Sequence, residues 1–387
     1  MKFCIISNLY TPHVRGGAER VAEATAQGLK SLGHSVFVVT PRVDGDQAID
    51  EQNGVPVHRV SITNLCDYLE LPKRGVLFRL LWHFLNIFNF PAASTTEKIL
   101  LEEKPDAVIT HNLMGVSFAL PSVIKRLRIK HVHVLHDVQL AVPSGIVIKG
   151  QENSFVNNGF LTKLYQIICK KMFASPDIVV SPSNWLMDFY VNRGFFKNSK
   201  RLILRNPLVG GGLTPSPVKS VKQSRFLFVG QLEKHKGIEW LVDLWRRNNI
   251  DSGLLIVGNG TIVVSATDNI KVFGRIEPAQ LPNIFNQVDY FILPSLCYEN
   301  SPTAIPLAFL NATPVIVADI GGAAELVDID KTGFRFAAGD EVSFASALNK
   351  AREVSNDEYA RMSATCLEQS KSFAVDKYVC ALITAIS

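Results

Sequence analysis

A lysine beside a glycine at the start of a helix can neutralise the charge that develops on a diphosphate leaving group, and the chain carries one at Lys236-Gly237. It closes the run Phe226-Leu227-Phe228-Val229-Gly230-Gln231-Leu232-Glu233-Lys234-His235, an apolar strand followed by a glycine turn. A second unit of the same kind, Ile256-Val257-Gly258-Asn259-Gly260, lets backbone pass close to a base or a ribose. Further on, Leu293-Pro294-Ser295 leads to Glu299-Asn300-Ser301-Pro302, where a loop carboxylate can accept sugar hydroxyls. The segment Ala312-Thr313-Pro314-Val315-Ile316-Val317-Ala318-Asp319-Ile320-Gly321-Gly322-Ala323-Ala324-Glu325 adds N–H groups able to hold a phosphate.

Two further candidates stand near the N-terminus. The loop Ser7 to Arg15 runs into Gly16-Gly17-Ala18-Glu19, which opens a helix with Val21, Ala24, Leu29 and Leu32 on its apolar face. Such glycines either admit a phosphate to free N–H groups at the positive end of the helix dipole or form an ordinary glycine-rich turn. The spacing is not the G-x-G-x-x-G of dinucleotide dehydrogenases. The strand His131-Val132-His133-Val134-Leu135 ends at His136-Asp137, which puts His136 at a carboxyl end, either reaching a ligand or sitting as a satisfied surface residue. His131 and His133 share a face and could ligate a metal, although no third ligand is evident nearby.

The elements that must position these residues are short β-branched runs, each followed by a polar loop and a helical stretch: Phe3–Ile6, Val36–Thr40, Val108–Thr110, Val132–Leu135 and Ile178–Ser181. A new series, Phe226–Val229, Leu254–Val257, Ile270–Phe273, Tyr290–Leu293 and Val315–Ala318, follows a glycine and proline cluster from Pro207 to Pro217 that includes Gly210-Gly211-Gly212. The alternation predicts βαβ units and parallel sheets, whose ligands lie outside the carboxyl ends of the strands. A chain of 387 residues suits two such domains. With 47% apolar and 19% charged residues it argues against disorder, and a net charge of +5 spread along the chain is not a nucleic-acid footprint. Six cysteines without a CxxC pair predict buried free thiols in a reducing cytoplasm, and the run Phe3 to Ile6 is a first strand rather than a signal peptide.

Taken in order, these motifs resemble the retaining glycosyltransferases of family four. The usual series is VGR-x-x-x-x-KG, G-x-G, PS-x-x-E and G-x-PV-x-x-x-x-x-GG-x-x-E, joined here by the N-terminal GGAE, the histidine after the strand and Val180-Ser181-Pro182-Ser183. The resemblance covers nearly the whole chain. It implies an α/β GT-B fold in which two Rossmann-like doubly wound domains face one another across a cleft. It implies an acceptor-side domain over 1–207, a donor-binding domain over 208–372, and a terminal helix over 373–387 returning to the first domain. The implied reaction is a retaining, hexosyl-type transfer from a nucleotide-diphosphate sugar to a glycan or lipid-linked acceptor. In it, Lys236 binds the diphosphate, Glu299 holds hydroxyls of the sugar, and Asn300 with Ser301 offers backbone donors. Gly230, Gly258 and Gly260 line the nucleotide, Gly16 and Gly17 approach the phosphate, and His136 sits by the reacting sugar. The nucleotide sugar is a co-substrate, and neither a metal nor another cofactor is expected.

Two positions depart from the family pattern. Gln231 replaces the arginine that partners the lysine, keeping a donor but losing a fixed charge. Leu307 replaces the second glutamate, removing the carboxylate grip on the ribose. Losing a hydrogen bond to a charged group costs about 1.5–3 kcal/mol, so a non-catalytic relative that binds a sugar or a partner is the alternative. A nonhydrolysing sugar-nucleotide epimerase shares the architecture but fits the glycine-lysine and Glu-Asn-Ser-Pro segments less well. A metal-dependent enzyme of the other glycosyltransferase fold would need a DxD triplet ending a strand, whereas Asp44-Gly45-Asp46 and Asp328-Ile329-Asp330 read as solvated loops.

Lys73-Arg74 precedes an aromatic-rich helix candidate from Val76 to Phe88. Residues 73–90 suit either the anionic inner face of a cell membrane, where a lipid-linked acceptor would be met, or packing on the N-terminal sheet. Interruption of the stretch Val76 to Ala93 by Arg79, His83, Asn86 and Asn89 argues against a transmembrane span. The basic residues Lys125, Arg126, Arg128, Lys130, Lys163, Lys170 and Lys171 either add to such a surface or form a solvated face.

Overall fold

Runs of Val, Ile, Leu and Phe with no polar alternation can be satisfied only where both faces of a sheet are covered. The computed structural model, which describes residues 1–62, 64–209, 214–220, 222–248 and 250–387, places them in that way. The Gly210-Gly211-Gly212 run lies outside the described residues. The chain divides into two compact units, one formed by 1–145, 154–209 and 375–387, the other by 146–153 and 210–374.

In the first unit the strands are β1 (Lys2–Ile6), β2 (Ser35–Pro41), β3 (Ile49–Gln52), β4 (Val55–Val60), β5 (Ala107–Thr110), β6 (Lys130–Val134), β7 (Ile178–Ser181) and β8 (Lys200–Ile203). They form one sheet in the order β3-β4-β2-β1-β5-β6-β7-β8, parallel except for β3 against β4. The register pairs Ile5 with Val38 on one side and with Ile109 on the other, and all three are fully buried. The second unit holds β9 (Phe226–Val229), β10 (Leu254–Val257), β11 (Ile270–Val272), β12 (Tyr290–Leu293), β13 (Val315–Ala318) and β14 (Gly333–Phe336). Its order is β11-β10-β9-β12-β13-β14, parallel throughout. The strand order reverses direction between β1 and β5 in one sheet and between β9 and β12 in the other. Those two crevices are where open parallel sheets take ligands.

The strands that the sequence pattern missed are β3, β4, β8 and β14. Three of them lie at sheet edges, where one side meets water and polar residues such as Asp50, Glu51, Lys200 and Arg201 break the apolar run. The helix Val375–Ile386 buries Tyr378, Val379 and Leu382 in the first unit's core. A Cβ on Gly28 would stand 2.7 Å from Val375, so glycine sets how closely this helix and the helix Gly17–Ser31 approach. Residues 146–153, inside the first domain as drawn from the sequence, belong instead to the second unit. There Lys149 N–H donates to the Leu296 carbonyl at 2.9 Å and Tyr298 N–H to that of Val147 at 3.0 Å. All six cysteines are free, but Cys66 is half-buried and Cys380 exposed, so uniform burial does not hold. Among the described residues no helix is long and apolar enough to cross a membrane.

Candidate active site

Lys236 follows β9 and Glu299 follows β12, so the reversal of strand order in the second sheet brings together two residues 63 positions apart. The Lys236 Nζ donates to Glu299 Oε1 at 2.6 Å, and the Ser295 hydroxyl donates to the same oxygen at 2.8 Å. Burial opposes ionisation of Glu299, but the Lys236 charge and the two hydrogen bonds outweigh it and hold the carboxyl below its usual range. Burial likewise opposes the charge on Lys236, and the Glu299 carboxylate outweighs it, holding the ammonium above its usual range. Both groups are therefore ionised near neutrality, an ammonium and a carboxylate fixed side by side at a strand-end crevice.

The surrounding turns explain why glycine recurs in the motifs. Gly237 has φ +74°, and a Cβ there would lie 1.9 Å from the Pro294 carbonyl oxygen. Only glycine lets the Lys234–Lys236 turn settle against the end of β12 and aim its lysine at Glu299. Gly258, at φ +143°, passes the Gly230 carbonyl so closely that a Cβ would stand 1.8 Å from it. Gly260 packs on Leu232 in the same manner at 2.2 Å. Gly322 N–H, which the sequence reading offers to a phosphate, donates instead to the Glu299 carbonyl at 2.7 Å and so braces the Glu299 loop. Asn300 and Ser301 are half-buried beside Glu299, Gln231 is exposed on the turn after β9, and Leu307 is half-buried on the helix Ala304–Leu310.

In the first unit His136 follows β6 and meets His111, which follows β5. His111 Nδ1 and His136 Nε2 are 2.8 Å apart, with the rings stacked. Burial pushes His136 down to about 4 and His111 well below the usual imidazole value, so the contact is one between neutral rings in which one nitrogen donates and the other accepts. Beside them Asp137 Oδ1 accepts the Gln139 N–H at 2.8 Å and Oδ2 accepts Asn112 Nδ2 at 3.2 Å. Burial raises this carboxyl to about 6, against the opposing Gln139 hydrogen bond. His111 and Asn112 escape the sequence reading because no motif surrounds them. Their one legible signal is placement directly after an apolar strand. Gly16 N–H donates to Glu19 Oε2 at 2.8 Å, so the glutamate of the GGAE segment closes the N-terminal turn of the helix Gly17–Ser31.

His131 and His133 do not look outward for a partner. The Thr110 hydroxyl lies between them, 2.9 Å from His131 Nε2 and 2.8 Å from His133 Nδ1, within the buried body of the unit. Asp46, from one of the two DxD segments, is committed to His13 at 2.9 Å and to Arg59 at 3.6 Å.

The four histidines predict an acid-sensitive first unit. Unfolded, each takes up a proton near pH 6.5. Folded, burial holds His136 neutral down to about 4, His131 to about 3, and His111 and His133 well below normal. Between roughly pH 6.5 and 4 the unfolded chain thus binds more protons, and stability falls as pH falls. Asp137 and Asp67 act in the opposite sense, since a raised carboxyl means the folded state binds the extra proton as pH drops, through about 6 for Asp137, but they are two groups against the four histidines, with His83 lowered as well. Scanning calorimetry should show the thermal midpoint dropping across that window. A flat midpoint would contradict burial of these rings in neutral form.

Two family models match successive parts of the chain. A model of Glycosyltransferase Family 4 matches residues 15–207, and a model of Glycosyl transferases group 1 matches residues 223–353. A Klebsiella pneumoniae chain named as an uncharacterized 42.6 kDa protein in the cps region is 27% identical over 331 residues, 84% of this chain and 87% of that one. The Escherichia coli UDP-Gal:alpha-D-GlcNAc-diphosphoundecaprenol alpha-1,3-galactosyltransferase is 30% identical over 157 residues, 37% of this chain and 40% of that one. Among solved structures, Anabaena HepE in complex with UDP matches with a TM-score of 0.72 at 16% identity, covering 100% of this chain and 99% of that one, a likeness of fold.

Proposed function

Because the chain belongs to the family-four glycosyltransferases, we propose that it moves a sugar from a nucleotide-diphosphate donor to a glycan or lipid-linked acceptor with retention of anomeric configuration, in the synthesis of a cell-surface polysaccharide or glycoconjugate. The observation that carries this reading is the ionised Lys236–Glu299 pair at the reversal point of the second sheet.

In this reading Lys236 offsets the charge that develops on the departing diphosphate, so the chemistry calls for no metal. Glu299 accepts hydroxyls of the transferred sugar, and Asn300 and Ser301 continue the donor-binding loop. Gly230, Gly258 and Gly260 bring backbone near the nucleotide, with Gln231 beside them in place of an arginine. Leu307 leaves the ribose without its usual carboxylate. Gly16, Gly17 and His136 act from the first unit.

A lipid-linked acceptor is supported by the undecaprenol-linked acceptor in the name of the E. coli relative. It is also supported by the helix Val76–Ile87, which turns Leu77, Leu81, Phe84 and Leu85 outward while burying Trp82 and Ile87. With Lys73 and Arg74 ahead of it, the segment 73–90 rests peripherally on the inner face of the cell membrane.

Calorimetry with UDP-, GDP-, ADP- and TDP-sugars tests the donor site. One nucleotide should bind at micromolar strength, with binding lost in Lys236→Ala and Glu299→Ala. No binding across the panel would favour the non-catalytic alternative, in which Gln231 and Leu307 mark a site that has lost its donor.

A further inference from the structure

The helix Phe160–Phe173 buries Thr162, Gln166, Cys169 and Phe173, and it and the short helical turn Phe155–Asn158 before it also carry a second, outward apolar face. Their inner face is tied down by polar bonds: Gln166 Nε2 donates to the Ala141 carbonyl at 3.0 Å, Tyr165 Oη to that of Gln139 at 2.7 Å, and the Thr162 hydroxyl to that of Val156 at 2.6 Å. The outer face carries Phe155, Val156, Phe160, Leu161, Leu164 and Ile167, each between 45% and 74% exposed. Leaving that much apolar surface in water forgoes about 25 cal/mol for every Å², and contiguous patches of this kind mark surfaces that something covers.

Charge identifies the occupant. Between residues 154 and 176 there is no aspartate or glutamate, while Lys163, Lys170 and Lys171 all lie on the helix. At 100° per residue Phe160, Leu164, Ile167 and Lys171 form one stripe with Lys163 along one side of it, while Lys170 turns inward, its Nζ donating to the Arg193 carbonyl at 3.2 Å over the Phe195 ring. An apolar stripe carrying the exposed Lys163 and Lys171, on a segment free of carboxylates, matches the boundary between acyl chains and anionic headgroups, with rings and branched chains inserted and these two ammonium groups at the phosphates.

We infer that the outer face of residues 155–171 is a docking surface for an anionic phospholipid bilayer, separate in sequence from segment 73–90 and independent of the donor-site reading. The test is co-sedimentation of the full chain with vesicles of phosphatidylcholine containing phosphatidylglycerol, against vesicles of phosphatidylcholine alone. Wild type should partition onto the anionic vesicles. Phe160→Glu with Leu164→Glu should weaken that partitioning by about tenfold or more, since two inserted side chains are lost. Lys163→Glu with Lys171→Glu should weaken it on anionic vesicles alone. Both pairs alter exposed positions, so thermal midpoint and nucleotide-sugar binding should stay at the wild-type level.

Leu81→Glu with Phe84→Glu reports on the first segment. If that pair abolishes vesicle binding while Phe160→Glu with Leu164→Glu leaves it unchanged, the inference fails and the 73–90 contact survives. Absence of vesicle binding by wild type overturns both. Self-association in ultracentrifugation that disappears in Phe160→Glu with Leu164→Glu would reassign the surface to a second copy and overturn the bilayer.

Discussion

Glu299→Ala and Lys236→Ala should each lower turnover of the preferred nucleotide sugar by about two to three orders of magnitude, the loss typical of removing one preorganised electrostatic contact to a developing charge. The two residues hold each other at 2.6 Å, with the Lys236 side chain 23% and the Glu299 side chain 12% exposed, so each truncation also leaves its partner without a counter-charge. That part of the effect is one of stability, up to about 3 kcal/mol for a pair only partly withdrawn from water. The double variant separates the two contributions. With both charges gone, the folded state regains much of what either single change costs, while turnover stays as low as in the worse single variant. Cys297→Ala is the control: its sulfur lies 4.0 Å from Glu299 Oε1, and burial raises the thiol to about 12, so it carries no charge near neutrality and its loss should change little. Recovery of turnover in the double variant, or normal turnover in both singles, would remove these residues from the donor site.

Gly258→Ala should be among the most damaging single-methyl changes in the second unit, and Gly230→Ala, at a neighbouring glycine of the same motif set, should be mild. At Gly258 the added Cβ would meet the Gly230 carbonyl at 1.8 Å, and φ of +143° strains any L side chain. Relief requires β9 and β10 to part, and they are joined along their whole length from Phe226 and Leu254 to Val229 and Val257. Backbone strain of this kind alone costs about 1–3 kcal/mol, and the clash adds to it. At Gly230 the nearest contact would be the Phe228 ring at 3.3 Å, a side chain that can yield by a few tenths of an ångström. Urea denaturation should show a loss of about 3 kcal/mol or more for Gly258→Ala and under about 1 kcal/mol for Gly230→Ala. Equal effects would mean that the glycines serve ligand approach alone and not the packing of the turn.

The parallel α/β class, the first strand and the strand-end position of Lys236, Glu299 and His136 were legible from the residues alone. A strand covered on both faces must be apolar along its length, and glycine is required wherever backbone meets backbone, so both leave marks in short windows of sequence. What Gly322, His131 and His133 bond to was not legible, because a donor or a ring nitrogen is assigned by whichever partner folding brings to it. Here those are the Glu299 carbonyl and the Thr110 hydroxyl. His111 was out of reach for the same reason: its meeting with His136 follows from the register that sets Thr110 beside His133. The apolar residues of 155–167 show the limit of pattern reading. A helical stripe has the same period whether it faces the core or the water, and the direction is chosen only when Cys169 and Phe173 enter the core and Gln166 and Tyr165 reach the carbonyls of Ala141 and Gln139, which leaves the other stripe outward.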